Sequence, residues 1–250
     1  MIEQISIDLS NYCSKGCSFC YNSSNRAGST QWLPQEVIDF AKSCISHGVK
    51  AISLGGGEPL EYDGIFDVIA ELYPLTYLTL TTNGLPLLER EVVRQLILNK
   101  PDKIHISLHN ADDDVERARI IEQVELLKGI SIKPGVNLLV RSSNVEHCKQ
   151  AYKQFRNVLL PEQIILIPQR FIETPTTKQL GSISGGEYFQ SPSCLLKCSR
   201  PKNFASISWD KRVNWCSYAK GKQPLETLDY FGMLKALELV SFVTCGSYCD

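Results

Sequence analysis

Cys13, Cys17 and Cys20 form a C-x3-C-x2-C run within the segment Cys13-Ser14-Lys15-Gly16-Cys17-Ser18-Phe19-Cys20. Thiolates are the usual ligands of iron–sulfur clusters. Three at this spacing can hold three irons of a [4Fe–4S] cube and leave the fourth iron open to a small molecule. A closed tetrahedral metal site needs a fourth ligand nearby, and residues 1–43 contain no further Cys and no His. The run therefore points to a reacting centre and away from a passive electron carrier. Five more cysteines crowd toward the other end, at Cys194, Cys198, Cys216, Cys245 and Cys249, while Cys44 and Cys148 stand alone. Two cysteine-rich sites are expected, one toward each end of the chain.

Three further polar groups each follow a β-like run. Gly55-Gly56-Gly57-Glu58-Pro59 offers backbone that a ligand can approach with no Cβ in the way, and a carboxylate suited to an ammonium group. The same tripeptide serves equally as a plain strand-to-helix turn. A second copy, Gly185-Gly186-Glu187, follows no strand and is set aside. Thr81-Thr82-Asn83-Gly84 and Ser107-Leu108-His109-Asn110 place short hydrogen-bonding side chains at strand ends, where they suit ribose hydroxyls, a carboxylate or helix capping. His109 has two readings, a proton donor facing substrate or a hydrogen-bonded structural ring. His47, His105 and His147 read as structural, and Cys44 and Cys148 as small core residues.

The elements that must carry these groups are six strands, at Ile5–Leu9, Lys50–Leu54, Tyr77–Thr81, Lys103–Leu108, Gly135–Val140 and Gln163–Ile167. Periodic helical stretches fall near 34–47, 62–72, 86–99, 112–128 and 144–158. Strand–helix alternation implies a parallel α/β sheet. Six units are too few for a closed eight-stranded barrel, so a partial (β/α)6 TIM-type barrel is expected, with function at the C-terminal strand ends. Residues 1–170 form the expected barrel. Residues 171–193, rich in Thr, Ser, Gly and Pro, read as a linker. Residues 194–250 read as a small cysteine-rich domain, with a hairpin at Ala205–Trp209 and Val213–Cys216 and a helix within Leu225–Ser241.

Composition narrows the class. A hydrophobic content of 43% in 250 residues is ample for a core, and a net charge of -1 gives no footprint for extended nucleic-acid binding. Met1-Ile2-Glu3-Gln4-Ile5 lacks the basic and apolar regions of a signal peptide, and no apolar run reaches the ~18–20 residues of a membrane span. A cytoplasmic protein is expected. Its cysteines are then ligands or reduced thiols rather than disulfides.

The ordered set of C-x3-C-x2-C, GGEP, TTNG and SLH, each after a successive strand, resembles the radical S-adenosylmethionine (SAM) superfamily over residues 2 to about 170. The resemblance implies a [4Fe–4S] cluster held by Cys13, Cys17 and Cys20, with SAM chelating the open iron. Reductive cleavage of SAM would give a 5′-deoxyadenosyl radical that abstracts a hydrogen atom from substrate. Phe19 and Ile167 (or Pro168) would flank the adenine, and Gly56, Gly57 and Glu58 would receive the methionine amino group. Thr82, Asn83, Ser107, Asn137 and Arg141 would contact ribose or carboxylate. His109 and Arg170 are candidates facing the substrate, and reduced flavodoxin or ferredoxin would be the electron donor.

The C-terminal cysteines are similar to the twitch domain, a short relative of SPASM, in which Cys198, Cys216, Cys245 and Cys249 would hold an auxiliary [4Fe–4S] cluster and Cys194 would be spare. One departure is Lys211, where that pattern carries Gly five residues before the second cysteine. Cys194, Cys198 and Cys216 with one free iron, or a four-thiolate zinc, are the competing ligand sets. A peptide and a small molecule are both open as substrate. A non-catalytic iron–sulfur or zinc-binding activator is the alternative reading.

Overall fold

The computed structural model describes residues 1–186 and 199–241. These fall into two units, one built from residues 1–102 and 200–241, the other from 103–186 with Ser199. Both are α/β with mostly parallel strands.

In the first unit the order is β1 (Gln4–Asp8), α1 (Pro34–Ser46), β2 (Ala51–Gly55), α2 (Ile65–Leu72), β3 (Tyr77–Thr82) and α3 (Arg90–Leu98). β1 pairs in parallel with β2, Ile5 opposite Ile52, and β2 with β3, Ile52 opposite Leu78. Strict alternation decides which face is covered. Ile5, Ile7, Ile52, Leu54, Leu78 and Leu80 are all buried to 1% exposure or less, while Ser6, Ser53, Thr79 and Thr81 on the opposite face stay half-exposed. α1 and α2 bury Val37, Phe40, Ala41 and Cys44, and Val68, Ile69 and Leu72. Short 3-10 turns at Pro59–Glu61 and Pro86–Leu88 precede α2 and α3, so those helices start later than the sequence periodicity suggests.

The second unit runs β4 (Lys103–Leu108), α4 (Asp114–Gly129), β5 (Lys133–Val140), α5 (Val145–Phe155), β6 (Ile164–Pro168) and α6 (Thr177–Ile183). β4 pairs in parallel with β5 and β5 with β6. Pro134-Gly135 does not delay β5. The His105 ring lies where a Cβ on Gly135 would stand, with His105 Cε1 at 2.7 Å from that position, so only glycine fits beside it. The segment read as a linker contains α6. Thr176 accepts the Gln179 N–H through its hydroxyl, and the Gln179 side chain accepts the Thr176 N–H, a complete capping box.

The chain then returns to the first unit as β7 (Phe204–Ile207), β8 (Arg212–Asn214) and β9 (Gln223–Pro224), followed by α7 (Tyr230–Leu239). β7 and β8 form the expected hairpin. β7 also adds to the free edge of β1 in parallel, Ser6 opposite Ser206, which the sequence did not suggest. The hairpin turn holds Lys211 at φ +57°, the left-handed position flagged by the missing glycine. Its ammonium reaches both carboxylate oxygens of Glu36 at 2.8 Å and lies 5.3 Å from the Trp32 ring centroid, which offsets a strain of about 1 kcal/mol.

Cys194, Cys198, Cys245 and Cys249, and with them most of the expected auxiliary site, lie outside the described residues. No helix among the described residues is long and apolar enough to cross a membrane.

Candidate functional site

β1 ends at Asp8 and opens into the cysteine loop. A short crossing closes that loop: the Asn25 N–H donates to the Asn11 carbonyl and the Cys13 N–H to the Asn25 carbonyl, both at 3.0 Å. Within it the Cys20 N–H turns back to the Cys17 carbonyl at 3.1 Å, and Gly16 supplies φ +58°. The Ser14 N–H and hydroxyl both donate to Glu61, and Arg26 donates to the Ser14 carbonyl at 2.8 Å. Cys13, Cys17 and Cys20 form no disulfide among the described residues; the first is buried and the others half-buried, with half-buried Phe19 between them.

The GGE turn after β2 packs directly on this loop. The Gly57 N–H donates to the Ser10 carbonyl at 2.6 Å and the Glu58 N–H to the Tyr12 carbonyl at 2.9 Å. A Cβ on Gly57 would overlap the Tyr12 carbonyl oxygen, and one on Gly56, at φ +113°, would press on Ser10 and Leu9. The glycines are therefore required first by the cysteine loop itself.

Glu58 is 1% exposed. Its carboxylate accepts the Thr82 hydroxyl at 2.7 Å, the Asn83 N–H at 2.8 Å and the Leu60 N–H at 3.1 Å. Burial pushes its pKa up to about 7, against the opposing pull of those three donors. Asn83 extends the chain of contacts, its side-chain amide donating to Cys13 Sγ at 3.6 Å. Glu58, Thr82, Asn83 and Cys13 thus form one hydrogen-bonded set that ties the ends of β2 and β3 to the cysteine loop.

In the second unit Ser107 and Asn137 stand opposite each other on adjacent strands. Asn137 Oδ1 lies 2.9 Å from His105 Nδ1. Burial pushes His105 down to about 4, with the Lys103 charge adding to the effect and the Asn137 bond opposing it, so the ring is neutral and structural. His109 Nδ1 stands 3.6 Å from Glu116, whose other oxygen accepts the Asn110 N–H and which Arg119 approaches at 3.7 Å. The ring therefore lies beside a buried carboxylate. Arg141 begins a turn in which its N–H donates to Asn144 Oδ1, Ile167 is half-buried near the end of β6, and Arg170 is 9% exposed just beyond it.

Cys44 and Cys148 are fully buried in α1 and α5, and burial pushes both thiols up to about 12. His47 caps α1 through the Ser43 carbonyl and stacks on Tyr230. Cys216 is half-buried just beyond β8 and forms no disulfide among the described residues.

Sequence reasoning passed over Asp8. It is 1% exposed, accepts the Tyr21 hydroxyl on Oδ1 at 3.2 Å, and has no hydrogen-bond partner for Oδ2 among the described residues. The available signal was the Gln4, Ser6, Asp8 alternation, which puts an acid on the polar face at the strand end.

Residues 7–140 match the sequence pattern of the Radical SAM superfamily, more than half of the chain. The chain belongs to the radical SAM superfamily. Members of this family bind SAM and an iron–sulfur cluster. Over 153 residues it is 29% identical to a probable GTP 3′,8-cyclase of Methanocella arvoryzae, covering 59% of this chain and 48% of that one. The chain spans about half the length of the curated relatives it matches. Its fold resembles SuiB of Streptococcus suis bound to S-adenosylmethionine, with TM-score 0.66, 16% identity and coverage of 92% of this chain and 65% of that one. It also resembles anSMEcpe with bound AdoMet, with TM-score 0.60, 15% identity and coverage of 97% and 81%.

The donor set fits the cluster the family implies. Three thiols outside any described disulfide share one loop, and an amide N–H donates to one sulfur, the kind of contact that orients and tunes a cluster ligand. Among the described residues no three His, Cys, Asp or Glu side chains converge as ligands of a single ion would.

Proposed function

We propose that the chain is a SAM-dependent radical enzyme in which Cys13, Cys17 and Cys20 hold a [4Fe–4S] cluster with one open iron. When bound, cluster and SAM supply a 5′-deoxyadenosyl radical able to take a hydrogen atom from a substrate carbon. The carrying observation is the hydrogen-bonded set Glu58, Thr82, Asn83 and Cys13, which joins three of the four family motifs in one place.

In this reading Glu58 does not itself carry the incoming ammonium. Its oxygens are engaged by Leu60, Thr82 and Asn83, so it ties the turn after β2 to the end of β3, beside the Gly56–Gly57 backbone that receives the methionine amino group. Phe19 and Ile167 flank the adenine, and Ser107, Asn137 and Arg141 take ribose and carboxylate. Thr82 and Asn83 act by ordering the turn. His109, beside Glu116, and Arg170 face the substrate, with His109 able to move a proton at its ring nitrogen. Cys216, together with Cys198, Cys245 and Cys249, would hold an auxiliary cluster, which would supply an electron acceptor for oxidation of the substrate radical. Reduced flavodoxin or ferredoxin delivers the first electron.

The names of the relatives favour a second substrate reading, a nucleotide. On the polar face of β1, β2, β3 and β7 the strand residues Gln4, Ser6, Asp8, Ser53, Thr79, Thr81 and Ser206 supply no cation for a triphosphate, and the Lys222 charge that reaches this face acts on Asp8.

The test is anaerobic reconstitution followed by dithionite and chromatographic assay of 5′-deoxyadenosine. Formation that is lost in Cys17→Ala supports the reading. No formation above that variant would favour a non-catalytic iron–sulfur protein.

A further inference from the structure

Two buried carboxylates flank the cysteine loop, and their partners differ. Glu58, linked through Asn83 to Cys13, accepts three hydrogen bonds. Asp8, on the Cys20 side, accepts one, from the Tyr21 hydroxyl to Oδ1 at 3.2 Å. Its Oδ2 is buried with no hydrogen-bond partner among the described residues, on a residue only 1% exposed. A charge placed there is costly. A buried polar atom left unpaired calls for a reason, and a redox role is one.

The residues that follow Cys20 fold the end of the loop back onto β1. Tyr21 is 43% exposed, yet its hydroxyl turns inward to Asp8. Beside it, the Asn22 side chain donates to the Ser10 carbonyl at 3.4 Å. Burial of the Tyr21 hydroxyl pushes it well above its usual range, and the charges of Asp8, Tyr218 and Cys20 add to that in this order. The Cys20 sulfur and the Asp8 carboxylate therefore act on the same phenol. Across from Asp8, β2 presents Gly55, which brings no side-chain donor. Burial raises Asp8 to about 6, against the Lys222 charge and the Tyr21 bond and with the Asp210 charge, so it is ionised above that range.

We propose that Asp8 and Tyr21 set the reduction potential of the cluster carried by Cys13, Cys17 and Cys20, with Tyr21 holding the Cys20 end of the loop against the carboxylate. A cluster gains negative charge on reduction, so a fixed carboxylate beside its loop disfavours the reduced form and lowers the potential. Charges enclosed by protein act at an effective dielectric of about 20, well below that of water. The unpartnered oxygen also leaves the Asp8 charge less offset than that of Glu58. A lower potential favours the one-electron transfer to the SAM sulfonium, the electron coming from the reduced flavodoxin or ferredoxin of the reading above. Asp8 and Tyr21 are thus positioning residues that act through the loop. The inference deepens the radical reading and rests on it.

The test is a dye-mediated redox titration of the reconstituted full chain at about pH 8, where Asp8 carries its charge. Electron paramagnetic resonance follows the SAM-responsive component. Asp8→Asn removes the charge and keeps an acceptor for Tyr21. It is expected to raise the midpoint, so that the reduced-to-oxidised ratio at a fixed potential grows about tenfold, or about 59 mV for one electron. Lys222→Gln removes the opposing charge and is expected to lower the midpoint, by less because solvent screens a half-exposed lysine. A purely structural role does not give shifts of opposite sign. Tyr21→Phe keeps the ring and loses the tie, and should change the shape of the SAM-responsive signal. If Asp8→Asn holds no cluster, the Lys222→Gln shift decides the matter. A midpoint unchanged or lowered in Asp8→Asn, unchanged or raised in Lys222→Gln, or a Tyr21→Phe signal identical to wild type would overturn the proposal. No SAM-responsive component in the wild type would overturn the radical reading, and the inference with it.

Discussion

Glu58 shows how much a single side chain can organise. Its carboxylate meets three donors and no acceptor. Glu58→Gln would turn an amide N–H₂ toward one of those donors and leave a buried group unsatisfied. A loss of about 1–3 kcal/mol is expected, read as a lower urea midpoint with an unchanged slope. Its pKa, raised from 4.5 to about 7, means the folded state binds the proton more tightly than the unfolded chain. Its contribution to stability is therefore fully present below about 4.5 and falls as pH rises through 7. His105 runs the other way. Lowered to about 4, it is protonated more readily in the unfolded chain, so its contribution rises with pH between about 4 and 6.5. Its ring resonances should show a neutral imidazole at about pH 5, where a surface histidine is charged; a protonated ring there would contradict the buried environment. The motif residues were legible because their types and order are unusual together. Asp8 was not, because one acid ending a strand looks like any solvated strand end until its burial is known.

At the scale of elements, the GGE turn and the cysteine loop behave as one piece. Gly57→Ala would drive a methyl group into the Tyr12 carbonyl and displace the loop that carries Cys13. The variant should retain little reconstituted iron, measured by elemental analysis. Gly129→Ala, at the end of α4 where a Cβ meets nothing within 4 Å, should bind iron normally and gain up to about 1 kcal/mol. Equal iron content in both variants would sink this explanation of the glycines. Six strands and five helices were readable from alternation and periodicity, since one face of each is buried in aliphatic side chains. The turns before α2 and α3 shifted helix starts because Pro59 and Pro86 open them as 3-10 segments. α6 was missed because Ser, Thr and Gly composition suggested a linker, although Thr176 and Gln179 spelled a capping box. Lys211 was legible as a conformational anomaly. The ion pair that holds it, 175 residues away in sequence at Glu36, was not.

For the whole molecule, the sequence indicated successive strand–helix units and family membership. What it could not indicate was the parallel addition of β7 to the edge of β1, because that partner is chosen by an open strand edge formed far earlier in the chain. Metal content tests the proposed second site: two cubes require about eight irons per chain, whereas one cube requires about four. A value near four in the reconstituted protein, with zinc beside it, would contradict the auxiliary cluster. The most direct measurement of the central claim is electron paramagnetic resonance of the reconstituted, dithionite-reduced chain with and without SAM. An iron corner left open by Cys13, Cys17 and Cys20 predicts a component of the reduced-cluster signal that changes shape when SAM is added and is lost in Cys17→Ala, whatever signal a second cluster leaves behind. A spectrum with no SAM-responsive component, or a SAM-responsive component that persists in Cys17→Ala, would contradict it.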